Sequence, residues 1–209
     1  MNIAMHTLRF SVYVLILCGL LQSLTITAKP SQEPLRRDAQ SKSTEPAKNT
    51  DAERVVLYDR LVSFVPPAGF SKLPDDVVAD RYREVMQPTI IYGNDERAVS
   101  IWITFPPQRV LSPEQLPEFK TYMEPVLEKQ KKDLKWLRKE LVEINGRRWI
   151  HFEFLSAAQD ATIHNHLYIT SLDERALAFN FNVTTEDYEK YKDALEKSKD
   201  SIQTGKPGK

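Results

Sequence analysis

An Asn145-Gly146 pair, set between two runs that mix apolar and charged residues, most constrains what this chain can fold into. Asn-Gly favours a two-residue type I′ hairpin, because both central positions need positive φ and these two residues tolerate it best. So short a turn leaves no slack, and the partners follow. Ile144 is expected opposite Arg147, Val142 opposite Trp149, Glu140 opposite His151, Arg138 opposite Glu153 and Trp136 opposite Leu155. On the other face Glu143 meets Arg148, Leu141 meets Ile150 and Leu137 meets Phe154. The opposite-charge and acid–histidine pairs each support this register by about 0.2–1 kcal/mol. A one-residue slip would lose all of them.

Around this hairpin the pattern alternates strands with two long helices. Val55 to Tyr58 and Leu61 to Val65 read as a strand pair, ended by Pro66-Pro67. A short helix is expected from Leu73 to Met86, stopped by Pro88. Thr89 to Tyr92 and Ala98 to Phe105 flank a Gly93-Asn94-Asp95-Glu96 turn. Ser112-Pro113-Glu114-Gln115 opens a long helix in which Leu116, Phe119, Met123, Val126, Leu127 and Leu134 keep helical spacing, with Pro125 as a kink. Beyond the hairpin, Ala161 to Thr170 and Ala176 to Val183 complete a four-stranded meander. Thr184, with Asp187 three residues on, caps a last helix through Tyr188, Tyr191, Leu195 and Ile202. An antiparallel sheet of this length needs cover, which makes the fold class α+β with helices over the sheet.

A strand ending in Phe64-Val65-Pro66-Pro67-Ala68-Gly69-Phe70, the Asn145-Gly146 hairpin and a final strand–helix unit together resemble the PsbP-like fold. Within it, the chain looks most like the DcrB-like exported bacterial proteins, over roughly Leu61 to Ile202. That resemblance implies an α/β/α sandwich around an antiparallel sheet. It implies no shared activity and no catalytic residue.

The first 28 residues carry one charge, Arg9, ahead of an apolar run from Phe10 to Leu21 and an exit at Thr27-Ala28. This is the order of a secretory signal, and the polar Gln22, Ser23, Thr25 and Thr27 favour cleavage. An uncleaved anchor is the alternative, since Phe10 to Ala28 is uncharged and long enough to span a bilayer. Residues 29–53 hold no aromatic and little that is apolar, the composition of a disordered linker. Residues 54–203 then form a single domain, and residues 204–209 a flexible tail. The expected location is periplasmic or secreted, with membrane contact only through the N-terminal segment if it is retained.

Chemistry is sparse. The single cysteine, Cys18, lies in the leader, so the rest of the chain has no disulfide, thiolate ligand or cysteine nucleophile. Lys and Arg number 29 against 29 Asp and Glu, a balance that gives no support to a nucleic-acid partner. No Gly-rich phosphate loop, nucleophile elbow or metalloprotease motif is present, and no enzymatic activity is expected. Asp75, Asp76, Asp80, Asp95 and Glu96 lack the order of a calcium loop and read as caps and turns. Trp102, Trp136 and Trp149 read as core anchors, and the Asn182-Val183-Thr184 sequon matters only in a eukaryotic secretory pathway.

One constellation stands out. His151, His164 and His166 are the only histidines after the leader, and strand parity puts all three on one face with Glu153. Glu140 is expected opposite His151. Two histidines separated by one residue, with a third across, can take zinc or copper through imidazole nitrogens. A plain polar face, with His151 held by Glu140, explains the same residues without a cofactor.

Three functions compete. The first is an exported, non-catalytic module that binds a protein partner at the cell envelope. The second is an immunity-type inhibitor of a secreted toxin. The third is a histidine-based metal-binding protein.

Overall fold

The computed structural model describes residues 53–81, 89–94, 98–158 and 160–205. The leader, most of the linker, the expected helix end from Tyr82 to Met86, the Asp95-Glu96 turn and residues 206–209 lie outside them.

The chain opens with β1 (Val55–Leu57) and β2 (Val62–Phe64), followed by β3 (Ser71–Lys72) and the helix α1 (Asp75–Arg81). Strands β4 (Thr89–Gly93) and β5 (Val99–Thr104) come next, then a 3₁₀ turn (Pro113–Gln115) leading into α2 (Leu116–Gln130). The meander is β6 (Lys135–Ile144), β7 (Arg147–Ala157), β8 (Thr162–Leu172) and β9 (Arg175–Thr184). Helix α3 (Tyr188–Asp200) and β10 (Gln203–Thr204) close the described chain. Seven strands form one antiparallel sheet in the order β3-β4-β5-β9-β8-β7-β6, and β1-β2-β10 form a second, three-stranded one. The route explains the order. From β5 the chain passes through α2 to the far edge, and the meander walks back until β9 pairs with β5.

Turn chemistry sets this path. Asn145 and Gly146 both have positive φ, 48° and 76°, as a type I′ turn requires. Asp173 and Glu174, at 50° and 59°, make a second two-residue turn between β8 and β9. The hairpin register from Arg138↔Glu153 to Ile144↔Arg147 is the expected one. It then shifts, with an irregularity between Trp136 and Arg138. Trp136 pairs with Phe154, not Leu155, and packs with Phe152 and Phe154 at 5.5 Å while its Nε1–H donates to Glu128 of α2. Leu137, expected opposite Phe154, is displaced into the irregularity and exposed.

Each face of the large sheet has its own core. Leu116, Phe119, Met123 and Leu127 of α2 meet Ile150, Phe152, Phe154, Leu167 and Ile169. On the opposite face Leu195 of α3 shares a cluster with Trp149, Tyr168, Phe179 and Phe181, and Val62 and Phe64 of the small sheet join it. The body is therefore sheet-dominated with few helices. The helix-covered sandwich is corrected to this extent: part of the cover on the α3 face is a second sheet.

Three local expectations also change. Helix α2 stops at Gln130, and Lys131 is extended, so Leu134 packs against the α2 cluster from outside the helix. Strand β3 has no counterpart in the sequence pattern. Nor has β10, since the expected tail from residue 204 instead pairs with β2, and the Gly205 N–H donates to the Leu61 carbonyl.

Candidate functional site

Strand β7 carries Trp149, His151, Glu153 and Leu155 on the face that looks toward α3, because alternate residues share a face. The register pairs His151 with Tyr168, Glu153 with His166 and Leu155 with His164, so all three histidines lie together on that face. All four of His151, Glu153, His164 and His166 are largely buried, with side chains no more than 15% exposed. Burying that much polarity is costly unless each group finds a partner. Here they do.

The His151 Nδ1–H donates to Glu140 Oε1 of the edge strand at 3.4 Å, which turns its Nε2 toward His166 Nδ1, also 3.4 Å away. The His164 Nε2–H donates to Glu153 Oε1 at 2.8 Å, and the same oxygen lies 3.9 Å from His166 Nε2. Arg138 holds the other carboxylate oxygen, Nε to Oε2 at 3.1 Å. The rings form a row of near-parallel planes. Tyr168 stacks on His151 at 4.4 Å, His166 on His164 at 4.6 Å, and Tyr188 of α3 covers His164 at 4.0 Å.

Burial controls the protonation of this cluster. It pushes His166 down to about 3, helped by the positive groups around it, namely His164, His151, Arg138 and Lys199. His151 is lowered too, mainly by burial, although Glu140 and Glu153 oppose the shift. The Tyr168 and Tyr188 hydroxyls are raised, again first by burial. Above about pH 3 the His166 ring is uncharged, and the Tyr168 and Tyr188 hydroxyls keep their protons beyond the ordinary phenol range. The site offers imidazole nitrogen lone pairs.

One ligand atom from each of His151, Glu153 and His166 lies within 4.8 Å of the other two. His164 occupies a different place, as a donor to Glu153. Tyr188, read in the sequence only as an apolar helix position, turns out to roof the site. Its signal was the Thr184–Asp187 cap that starts the helix just before it, and Thr184 Oγ1–H does donate to Asp187 Oδ2 at 2.9 Å.

Other flagged residues sit elsewhere. Asp75 and Asp76 begin α1, and Asp75 pairs with Lys72. Trp102 and Trp149 are buried, while Trp136 is half-buried. Asn182 of the sequon is buried within β9. The α2 side of the sheet also holds a polar set that alternation in Phe179-Asn180-Phe181-Asn182 would have revealed. Asn180, Asn182 and Asn165 are all buried, and Asn165 Nδ2 donates to Ser156 Oγ at 3.1 Å and to the Ile163 carbonyl at 3.0 Å.

No family model matches the chain, and no curated protein matches it in sequence. Solved structures do match in shape. The solution structure of the cyanobacterial PsbP, CyanoP, from Synechocystis is 12% identical, with a TM-score of 0.52 over 78% of this chain and 98% of that one. The fold is PsbP-like. A crystal structure from Bacteroides thetaiotaomicron is also 12% identical, with a TM-score of 0.54 over 77% of this chain. This chain spans about half, 51%, of that protein's length. The Saccharomyces cerevisiae Ran-binding protein Mog1p is 14% identical, with a TM-score of 0.49 over 76% of this chain and 97% of that one.

Proposed function

We propose that this PsbP-like chain is an exported, non-catalytic protein-binding module of the cell envelope, of the DcrB-like kind. Export rests on the order of charge, apolar run and small-residue exit in residues 1–28. Among the described residues no helix is long and apolar enough to cross a membrane. The observation that carries the binding role is the outer strand β6. It spans Lys135–Ile144 at one end of the seven-stranded sheet, and no described strand pairs with its outer side. Leu137 and Leu141 on it are 43% and 38% exposed. The other end of the sheet is β3, only two residues long. A long open edge offers a row of backbone donors and acceptors to an extended segment of a partner, with side chains on alternate positions giving selectivity.

Site-specific photocrosslinking of the full-length chain in cells tests this. A crosslinking residue at Leu137 or Leu141 should yield a discrete adduct with another protein, and one at the exposed Val56 of β1 should not. Adducts from Val56 alone would move the binding surface off β6, and no adduct at any of the three would sink the reading. If the crosslinked species is a secreted toxin, the module is an immunity-type inhibitor.

A further inference from the structure

We infer that His151, His166 and Glu153 form a site for one divalent transition-metal ion of the zinc or copper class. The geometry is close to what such an ion needs. In tetrahedral zinc, with Zn–N bonds of about 2.0–2.1 Å, two imidazole nitrogens stand about 3.3 Å apart. His151 Nε2 and His166 Nδ1 are 3.4 Å apart. A carboxylate oxygen from Glu153, 3.9 Å from His166 Nε2, completes a His₂Glu set in which one ligand atom from each residue lies within 4.8 Å of the others. Two imidazoles and one carboxylate with a position left open is a donor set suited to zinc, copper or iron, and unsuited to calcium or magnesium.

The surroundings match as well. A metal-bound histidine usually donates its other ring N–H to a carboxylate, which fixes the tautomer. Glu140 Oε1 stands 3.4 Å from His151 Nδ1 and supplies that partner. Arg138 Nε on Glu153 Oε2 orients the carboxylate. His164 Nε2, now 2.8 Å from Glu153 Oε1, would give up or share that bond as the oxygen turns to the ion. All three ligands project from β7 and β8, inner strands of the sheet, so the backbone that spaces them is held on both sides. The three ligands stand on β7 and β8, one and two strands in from the β6 edge that carries Leu137 and Leu141.

Competition titration of the full-length protein, stripped with chelator and then offered Zn²⁺, provides the test. One ion should bind per chain and raise the melting temperature, since a ligand that binds only the folded state stabilises it. His151→Gln and His166→Gln should each weaken binding at least tenfold, and His164→Gln by less. X-ray absorption of the zinc-loaded wild type should show two imidazoles and carboxylate oxygen, a measurement that needs no variant to fold. The inference is overturned by a melting temperature indifferent to zinc, by equal zinc affinity in the His151→Gln/His166→Gln double variant, or by an absorption spectrum without imidazole.

Discussion

The two faces of β7 are equally buried and chemically opposite. Toward α2 the strand sends Ile150, Phe152 and Phe154, all fully buried in a cluster held by shape and apolar transfer alone. Toward α3 it sends Trp149, His151 and Glu153, and the last two are buried only because named partners on β6 and β8 satisfy them. The apolar face should respond to lost volume and ignore pH and ions. The polar face should do the reverse. One strand thus separates what holds the fold from what can sense the solution.

The largest effect belongs to the apolar face. Phe152→Ala should cost about 3–5 kcal/mol, as expected for truncating a fully buried phenylalanine. Chemical denaturation at pH 7.5 and at pH 5 should return the same loss. A loss that changes with pH would mean the faces are coupled and the contrast is false.

Next comes the turn on which both faces depend. A Cβ built on Gly146 meets nothing within 4 Å, so the cost of a substitution there is conformational, set by its φ of 76°. Gly146→Val should cost up to about 3 kcal/mol and Gly146→Asn much less, because asparagine tolerates the left-handed region. Equal stabilities for the two variants would contradict a type I′ turn.

The same turn shows what was legible in the sequence. Asn145-Gly146 predicts the register from Arg138 to Glu153, and with it the Glu140–His151 pair and the shared histidine face. It does not predict that Asn145 Nδ2 donates to the carbonyls of Asp200 and Ile202, at 2.8 and 2.7 Å, tying the hairpin to the end of α3. Nor does it foresee the slip at Leu137. Register arguments run outward from a turn and fail where packing against another element, here Trp136 on α2, outweighs continued pairing. Two-residue strands such as β3 and β10 are shorter than any periodicity, and only their partners define them. Tyr188 is not legible as part of the site for a similar reason, since a helix position says nothing of which strand residue lies beneath it.

A smaller effect separates the faces by pH. In the metal-free protein His166 titrates near 3, against about 6.5 for an unperturbed histidine. Between those values the unfolded chain binds more protons than the folded one, so stability falls as pH drops below about 6.5 and is unaffected above it. Going from pH 7.5 to pH 5 should cost on the order of 1–2 kcal/mol from this group. His166→Gln should remove that part of the slope. An unchanged slope in the variant would place the acid sensitivity elsewhere.

The smallest effect is the most local. Arg138 reaches from the edge strand to Glu153, yet it is 65% exposed, so the pair itself should contribute under about 1 kcal/mol and weaken with salt. Its positive charge nevertheless bears on the buried rings, since it helps to hold both His151 and His166 below their ordinary values. Arg138→Gln should therefore leave the melting temperature almost unchanged while raising the titration midpoints of both histidines, which NMR can follow ring by ring. Burial remains the larger cause, so both midpoints should stay below about 6.5 in the variant. A fall in either midpoint, or none moving while stability drops sharply, would show that Arg138 acts by packing and that its charge does not reach the histidine face.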